Sequence, residues 1–245
     1  DILKERAETG RLYIMNIDHC NSHSSFKDKV NMSNLCQEIT LPTDPINHID
    51  DKYGEIALCI LSAINVGKVK SDHELEELCD LSVRALDELI DYHAEAIYIK
   101  QTFKSNMSTS KIKHLLIYIH AMCEHYDLNY NLVKSVISTE SGWKYNAKSS
   151  AGALGLMQIM KACAKDYKTP HSEMYDPYVN VTIGIKYLSK LTKQFDNTLT
   201  ALVGYNEGPR YAKNYKEDYI VNSRYVHKVM NYLESFDLTT ELAGI

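Results

Sequence analysis

The residue best placed for acid–base chemistry is Glu140. In the run from Leu132 to Gly142, Leu132, Val133, Val136 and Ile137 define one apolar helical face, and Glu140 continues that face one turn further. Gly142 follows as a helix stop. A carboxylate so placed meets the negative end of the helix dipole and the edge of an apolar core, and both disfavour its charged form. A general acid working near neutral pH needs that property. The same spacing also suits a solvated C-terminal glutamate, so spacing alone leaves both readings open. Other acids are spoken for: Asp176 precedes Pro177 as a helix cap, and Glu207 lies in a Gly-Pro turn. Six cysteines, at 20, 36, 59, 79, 123 and 163, form no C-x-x-C pair and no Cys/His group with zinc spacing. Free thiols are expected, with no metal and no organic cofactor, and His19 beside Cys20 reads as local packing.

The elements that must position these residues divide the 245-residue chain in two. Up to about residue 70, β-prone runs such as Arg11 to Ile17 and Ile56 to Leu61 alternate with turn clusters between Pro42 and Asp51. Ser71-Asp-His-Glu74 then has the form of a capping box. Leu75, Leu78, Leu86, Leu89 and Ile90 follow on one face of a helix expected to run to about Tyr92. Periodicity fails between Ile97 and Ser110, which places a junction at 99–109 between a segment 1–98 and a domain 110–245. Beyond it helical patterns recur at about 110–126, 130–141, 156–167, 178–195, 197–206 and 219–236. The fold class read from the sequence is α+β: a strand-rich N-terminal part followed by a helix, then an all-α domain. A formal charge of −5 supplies no broad basic field, so no nucleic-acid partner is expected. No apolar run approaches the ~20 residues of a membrane helix. No signal-like apolar core opens the chain, and its first residue is not Met, so a truncated or processed start is expected and export is left open.

Four blocks narrow the reading of Glu140. They are Glu140 to Met160 (E-S-G-W-K-Y-N-A-K-S-S-A-G-A-L-G-L-M-Q-I-M), Asp176 to Leu188, Ala201 to Pro209 (A-L-V-G-Y-N-E-G-P) and Arg224 to Val229. In this order and at these separations they resemble the soluble lytic transglycosylases, relatives of goose-type lysozymes. The resemblance implies a lysozyme-like helical domain acting on peptidoglycan glycan strands, with Glu140 as acid/base and Tyr205, facing it, as the second catalytic residue. It implies that Ser149 holds substrate near the acetamido group, that Met157 packs against sugar, and that Gln158 and Asn206 complete the binding set. Most glycosidases use two carboxylates, and substrate-assisted enzymes are an exception. The resemblance implies that exception, with the substrate's N-acetyl group assisting and a 1,6-anhydromuramic acid end as product. One departure stands out: Val221 occupies a position where the family often has glutamate.

Residues 5 to about 93 resemble a different family. The runs Glu5 to Ser24, Ser33 to Thr43 and Gly54 to Gly67 look like an internal slice of the large subunit of class I ribonucleotide reductase. That resemblance implies a substrate-binding Asn34, a thiyl-radical Cys36, a general base Glu38, and in Cys59 one half of a reducing thiol pair. The slice lacks the partner thiol, the radical-path tyrosines and the phosphate-binding segment, and about a hundred residues cannot close a barrel of ten strands. No reductase turnover is expected from this chain alone, although other reductase fragments are conceivable partners. A genome encoding both nucleotide metabolism and wall lysis, such as a bacteriophage's, would bring two such frames together. Besides a transglycosylase and a reductase fragment, a third reading is a virion protein that binds glycan without cutting it.

Overall fold

The computed structural model describes residues 2–10, 12–34, 37–44 and 61–243, with side chains to 238. It divides into two compact units, Asp1–Leu86 and Asp87–Ile245.

In the first unit the described residues form helices α1 (Ile2–Thr9) and α2 (Ile17–His23) and the start of α3 (Asp72–Phe103). No strand is present among them, and the only bridges among the described residues, isolated ones, lie between 148 and 159. The expected strand-rich N-terminal half is therefore not found, and the described chain is all-α. β-propensity is realised only when a neighbouring strand satisfies the backbone groups. Leu12 to Asn16 is irregular chain with no ladder partner and Ile17 already begins a helix. Most of the Ile56–Leu61 run lies outside the described residues. Neither α1 nor α2 buries a residue. Half of the capping box forms: Glu74 N–H donates to Ser71 Oγ at 3.2 Å, whereas the Glu74 carboxylate accepts from the N–H of Lys70, one residue ahead of the cap, at 2.7 Å.

The second unit begins within α3, ahead of the point where sequence periodicity fades. Instead of stopping near Tyr92, α3 continues to Phe103, because Ala96 and Ile99 are fully buried in the core of this unit. Tertiary packing thereby overrides a weak local pattern. Lys104 takes a left-handed conformation (φ 48°), and Lys100 Nζ donates to the carbonyls of Ser105 and Met107. Met107 is 2% exposed.

Helices α4 (Thr109–Tyr126), α5 (Tyr130–Glu140), α7 (Pro177–Phe195), α8 (Thr198–Glu207) and α11 (Arg224–Ala243) supply most of the core. The 11-residue α5 is central: it packs on α4 and α11 and buries every residue from Leu132 to Ser138. Side chains cap four helices where the sequence changes to Ser, Asn or Asp. Ser108, Asn129, Asp176 and Asn197 accept from N–H groups of the first turns of α4, α5, α7 and α8. Two expected helices change. The pattern at 156–167 yields only α6 (Lys161–Asp166), and 219–236 divides into α10 (Glu217–Val221) and α11, after a short α9 (Pro209–Ala212).

One charge lies inside this core. Lys134 of α5 is 1% exposed and pairs with Glu95 of α3, which also accepts from Tyr130 Oη at 2.8 Å. The rings of Tyr130 and Phe236 lie 4.1 and 4.7 Å from Lys134 Nζ. Burial pushes the Lys134 ammonium down and Glu95 opposes that shift. Removing one partner strands the other in a poor dielectric. Glu95→Ala is expected to lower unfolding free energy by about 3 kcal/mol in urea melts, and Glu95→Ala/Lys134→Met is expected to regain most of it.

Candidate active site

Glu140 is the last residue of α5, so its position follows from how that helix is buried and how the chain leaves it. Gly142 and Trp143 both adopt left-handed conformations (φ 56° and 61°). Trp143, fully buried, donates from Nε1 to Ser138 Oγ at 2.9 Å, and its carbonyl accepts from Ser105 Oγ at 2.7 Å. The turn is thus locked from both sides and Glu140 remains half-buried at the core's edge. Burial pushes its carboxyl up from the usual 4.5 to about 7, against a hydrogen bond from Tyr225 and the nearby Lys228 ammonium, which lower it.

Tyr225 Oη donates to Glu140 Oε1 at 2.7 Å. Tyr205 donates instead to the carbonyl of Met157 at 2.8 Å, although Glu140's charge is among the causes that hold its phenol far above the ordinary range, after burial. Burial and Glu140 raise Tyr225 likewise. Both phenols therefore stay protonated as donors. Sequence reasoning passed over Tyr225. Its signal was the R-Y-V block itself, whose tyrosine stands on the first turn of α11, the helix packed along α5. Lys228, one turn on, donates to the Thr139 carbonyl at 3.2 Å.

The segment 147–159 folds back on itself through bridges Lys148–Leu154 and Leu154–Ile159. A buried amide holds it. Asn180 of α7, 0% exposed, accepts from Met157 N–H at 2.8 Å and donates to the carbonyls of Leu154 and Met174 at 2.8 and 2.9 Å. Two glycines make room. A Cβ on Gly155 (φ 76°) would stand 2.2 Å from Asn180 Nδ2 and from the Met174 carbonyl oxygen, and one on Gly184 would stand 2.2 Å from Met157 Sδ. Asn180 lies in the Asp176–Leu188 block, where sequence reasoning gave it no role. An asparagine amid helix positions that otherwise read as buried was the available sign.

Other expected site residues are placed as follows. Met157 is fully buried against Gly184. Gln158 takes a left-handed conformation (φ 48°), and its Nε2 donates to the carbonyls of Gly155 and Ala147. Ser149 Oγ accepts from Ala153 N–H at 2.9 Å, and Asn206 is exposed at the end of α8. Asp176 caps α7 as expected, and Glu207 accepts from Tyr215 and Tyr219 hydroxyls at 2.8 to 3.1 Å. In the first unit Asn34 Nδ2 donates to Glu38 at 2.6 Å, while Cys36 and Cys59 lie outside the described residues. Among the described residues no three His, Cys, Asp or Glu side chains converge as a metal site requires, and no helix is long and apolar enough to cross a membrane.

Comparison with known proteins separates the two parts. Residues 117–225 match the family model of the transglycosylase SLT domain, and residues 1–113 that of the ribonucleotide reductase barrel domain. The chain thus carries, one after the other, a segment similar to a reductase barrel domain and one similar to a transglycosylase SLT domain, and the two matches meet inside α4. The alpha subunit of ribonucleoside-diphosphate reductase from Buchnera aphidicola is 62% identical over 94 residues, 37% of this chain and 12% of that protein. Its counterpart from Enterobacteria phage T4 is 38% identical over 96 residues, 37% of this chain and 12% of that protein. The soluble lytic murein transglycosylase of Salmonella typhimurium is 34% identical over 93 residues, 34% of this chain and 14% of that protein. The chain thus spans only a small part of the length of these relatives. The structure of the 70 kDa soluble lytic transglycosylase of Escherichia coli aligns with 69% of this chain and 31% of its own, at 19% identity and a TM-score of 0.45.

Two outcomes follow from the site's electrostatics. Below about pH 4.5 Glu140 is protonated whether the chain is folded or unfolded. Between about 4.5 and 7 the folded chain holds the extra proton, so stability falls as pH rises through that window. Glu140→Gln is therefore expected to match the parent at pH 4 and exceed it by on the order of 2 kcal/mol at pH 8, read by urea melts at both values. Tyr225→Phe removes a bond to the charged form, so the Glu140 carboxyl, followed by 13C NMR, is expected to titrate above its present value of about 7.

Proposed function

We propose that the SLT domain is a peptidoglycan lytic transglycosylase cleaving the bond between N-acetylmuramic acid and N-acetylglucosamine, with Glu140 as its single acid/base. The observation that carries this reading is the half-buried Glu140 carboxyl, raised to about 7 and held by Tyr225, within the stretch that matches the SLT family model. A carboxyl of that pKa holds its proton in a large fraction of molecules near neutrality and is a competent base once it has given the proton up.

In the proposed reaction Glu140 protonates the glycosidic oxygen as the C1–O bond breaks. The 2-acetamido oxygen assists at C1. The Glu140 carboxylate then takes the proton of the C6 hydroxyl while O6 bonds to C1 and displaces the acetamido oxygen, giving the 1,6-anhydro ring without added water, restoring the acetamido group and returning the acid to its first state. Tyr225, bonded to Oε1, steadies the carboxylate between these steps and leaves Oε2 for the transfers. Tyr205 and Asn206, from α8, and Ser149 and Gln158, from the 147–159 segment, flank the sugar, while Met157 supports this wall from beneath. No metal or organic cofactor has a part. Asp176 and Glu207, engaged as a cap and by two tyrosines, leave Glu140 without a second carboxylate, as substrate assistance allows.

The reductase segment is proposed to take no part in this chemistry. Its Asn34, Cys36, Glu38 and Cys59 would need the rest of a barrel, from this or another chain, to act.

Incubating the protein with purified sacculi and weighing the released muropeptides tests the proposal. Anhydro ends, 18 Da lighter than the hydrolytic products as an approximate mass of water (~18 Da) requires, are expected, and Glu140→Gln is expected to lower the rate by at least about 10³-fold. Hydrated reducing ends would make the enzyme a lysozyme, and full activity in the variant would remove Glu140 from the mechanism.

A further inference from the structure

Between α3 and α4 the chain passes from Lys104 to Ser108, inside the stretch that matches the reductase barrel domain and ahead of 117–225, which matches the SLT domain. This junction is held at both ends. Ahead of it Ala96 and Ile99 are fully buried in the core and Glu95 pairs with Lys134 of α5. At its close Met107 is buried, and the Ser108 hydroxyl caps α4. Lys100 Nζ donates to the carbonyls of Ser105 and Met107, and Met107 N–H donates to Ser105 Oγ at 3.2 Å.

Two side chains of the junction reach the loop by which the chain leaves Glu140. Ser105, 2% exposed, donates from Oγ to the Trp143 carbonyl at 2.7 Å. Asn106 bonds twice: Oδ1 accepts from Tyr145 N–H at 3.3 Å, and Nδ2 donates to Asn146 Oδ1 at 2.6 Å. A bulky residue at positive φ, such as Trp143 at 61°, persists only where its surroundings over-determine it. Ser105 supplies part of that constraint. Directly after the loop, the Ala147 carbonyl accepts from Gly155 N–H at 2.8 Å and from Gln158 Nε2 at 3.3 Å. The loop 141–146 therefore runs from Glu140 to the wall that carries Ser149 and Gln158. Whatever fixes the loop fixes the acid against that wall.

We infer that Ser105 and Asn106 are positioning residues of the active site: from the reductase-like side of the junction they hold the 141–146 loop, and through it the placement of Glu140 against the 147–159 wall. The inference rests on the transglycosylase reading only in taking Glu140 as the acid. Each residue acts through the loop and not on the reacting atoms.

The test uses the full chain carrying Ser105→Ala/Asn106→Ala, or Asn106→Ala alone, with solubilised glycan strands as substrate. As a control, Asn131→Ala removes a 2.6 Å bond to Asp237 from the first turn of α5. The double variant is expected to lose about tenfold or more in kcat, with KM within about twofold of the parent's. Its Glu140 carboxyl, followed by 13C NMR, is expected to titrate about one unit below the present value of about 7, because a loosened turn admits water to a group that burial raises. The groups near that carboxyl, Tyr225 and Lys228 of α11 and Tyr205 of α8, are untouched. Asn131→Ala is expected to lower stability in urea melts and to move neither reading. Parent-like kcat and titration in the double variant, or equal shifts in the control, would overturn the inference. Should the double variant not fold, Asn106→Ala decides, since its side chain is exposed: smaller shifts in the same direction are expected, and parent-like values overturn the inference. If the parent cleaves nothing the transglycosylase reading fails, and the titration still decides whether the junction sets Glu140.

Discussion

The cost of charging a carboxylate at the edge of a packed core governs the second unit. α5 buries every residue from Leu132 to Ser138, and the chain reverses immediately after Glu140 through two left-handed residues, the second a fully buried tryptophan. Glu140 stays half-buried at the edge of the core, held by Tyr225. Desolvation then does what a neighbouring negative charge does in paired-carboxylate sites: it keeps the proton on near neutrality. Tyr225 and Lys228 moderate the shift, so that the group is poised between its two forms instead of being frozen in one. A more deeply buried carboxyl would be a poor base, and a more exposed one a poor acid.

Around that group the structure is held by polar atoms that are themselves buried and satisfied. Asn180 ties together three backbone groups of two separate segments, and Gly155 and Gly184 are required because nothing larger fits against it and against Met157. Tyr205 bonds to the same Met157 whose N–H Asn180 accepts. The 147–159 segment is thereby fixed to α7 and α8 at one residue. Such a network favours a single arrangement because each member left unpaired would cost more than the bond is worth when made. Lys134 and Glu95 act in the same way at the other end of α5, where they hold it to α3.

That last contact bears on how the two parts of the chain were joined. Reductase likeness extends by family model to residue 113, yet Glu95, Ala96, Ile99 and Met107 are built into the core of the second unit. The folded unit containing the SLT domain therefore uses residues from the reductase-like side of the junction. The first unit is different in kind. Its helices α1 and α2 bury no residue.

Local chemistry made much of the second unit legible. The apolar spacing of α5, the cap at Asp176 and the stop at Gly142 are all short-range effects, and each names its residue in the sequence. They put Glu140 at a helix end, while the surrounding blocks gave the resemblance. Other features depended on distant partners. α3 outlasted its own periodicity because a core accepted Ala96 and Ile99, and the 156–160 stretch gave up its helical pattern to Asn180. The β-prone N-terminal runs formed no sheet among the described residues, because a strand exists only with a neighbour to complete its hydrogen bonds. Tyr225 became Glu140's partner because α11 packs along α5, across 85 residues of sequence. The sequence by itself determined which carboxylate stands at the helix end. Only the tertiary structure decided how far that carboxylate is desolvated and which tyrosine holds it, because burial and contact between distant helices are properties of packing and not of spacing along the chain.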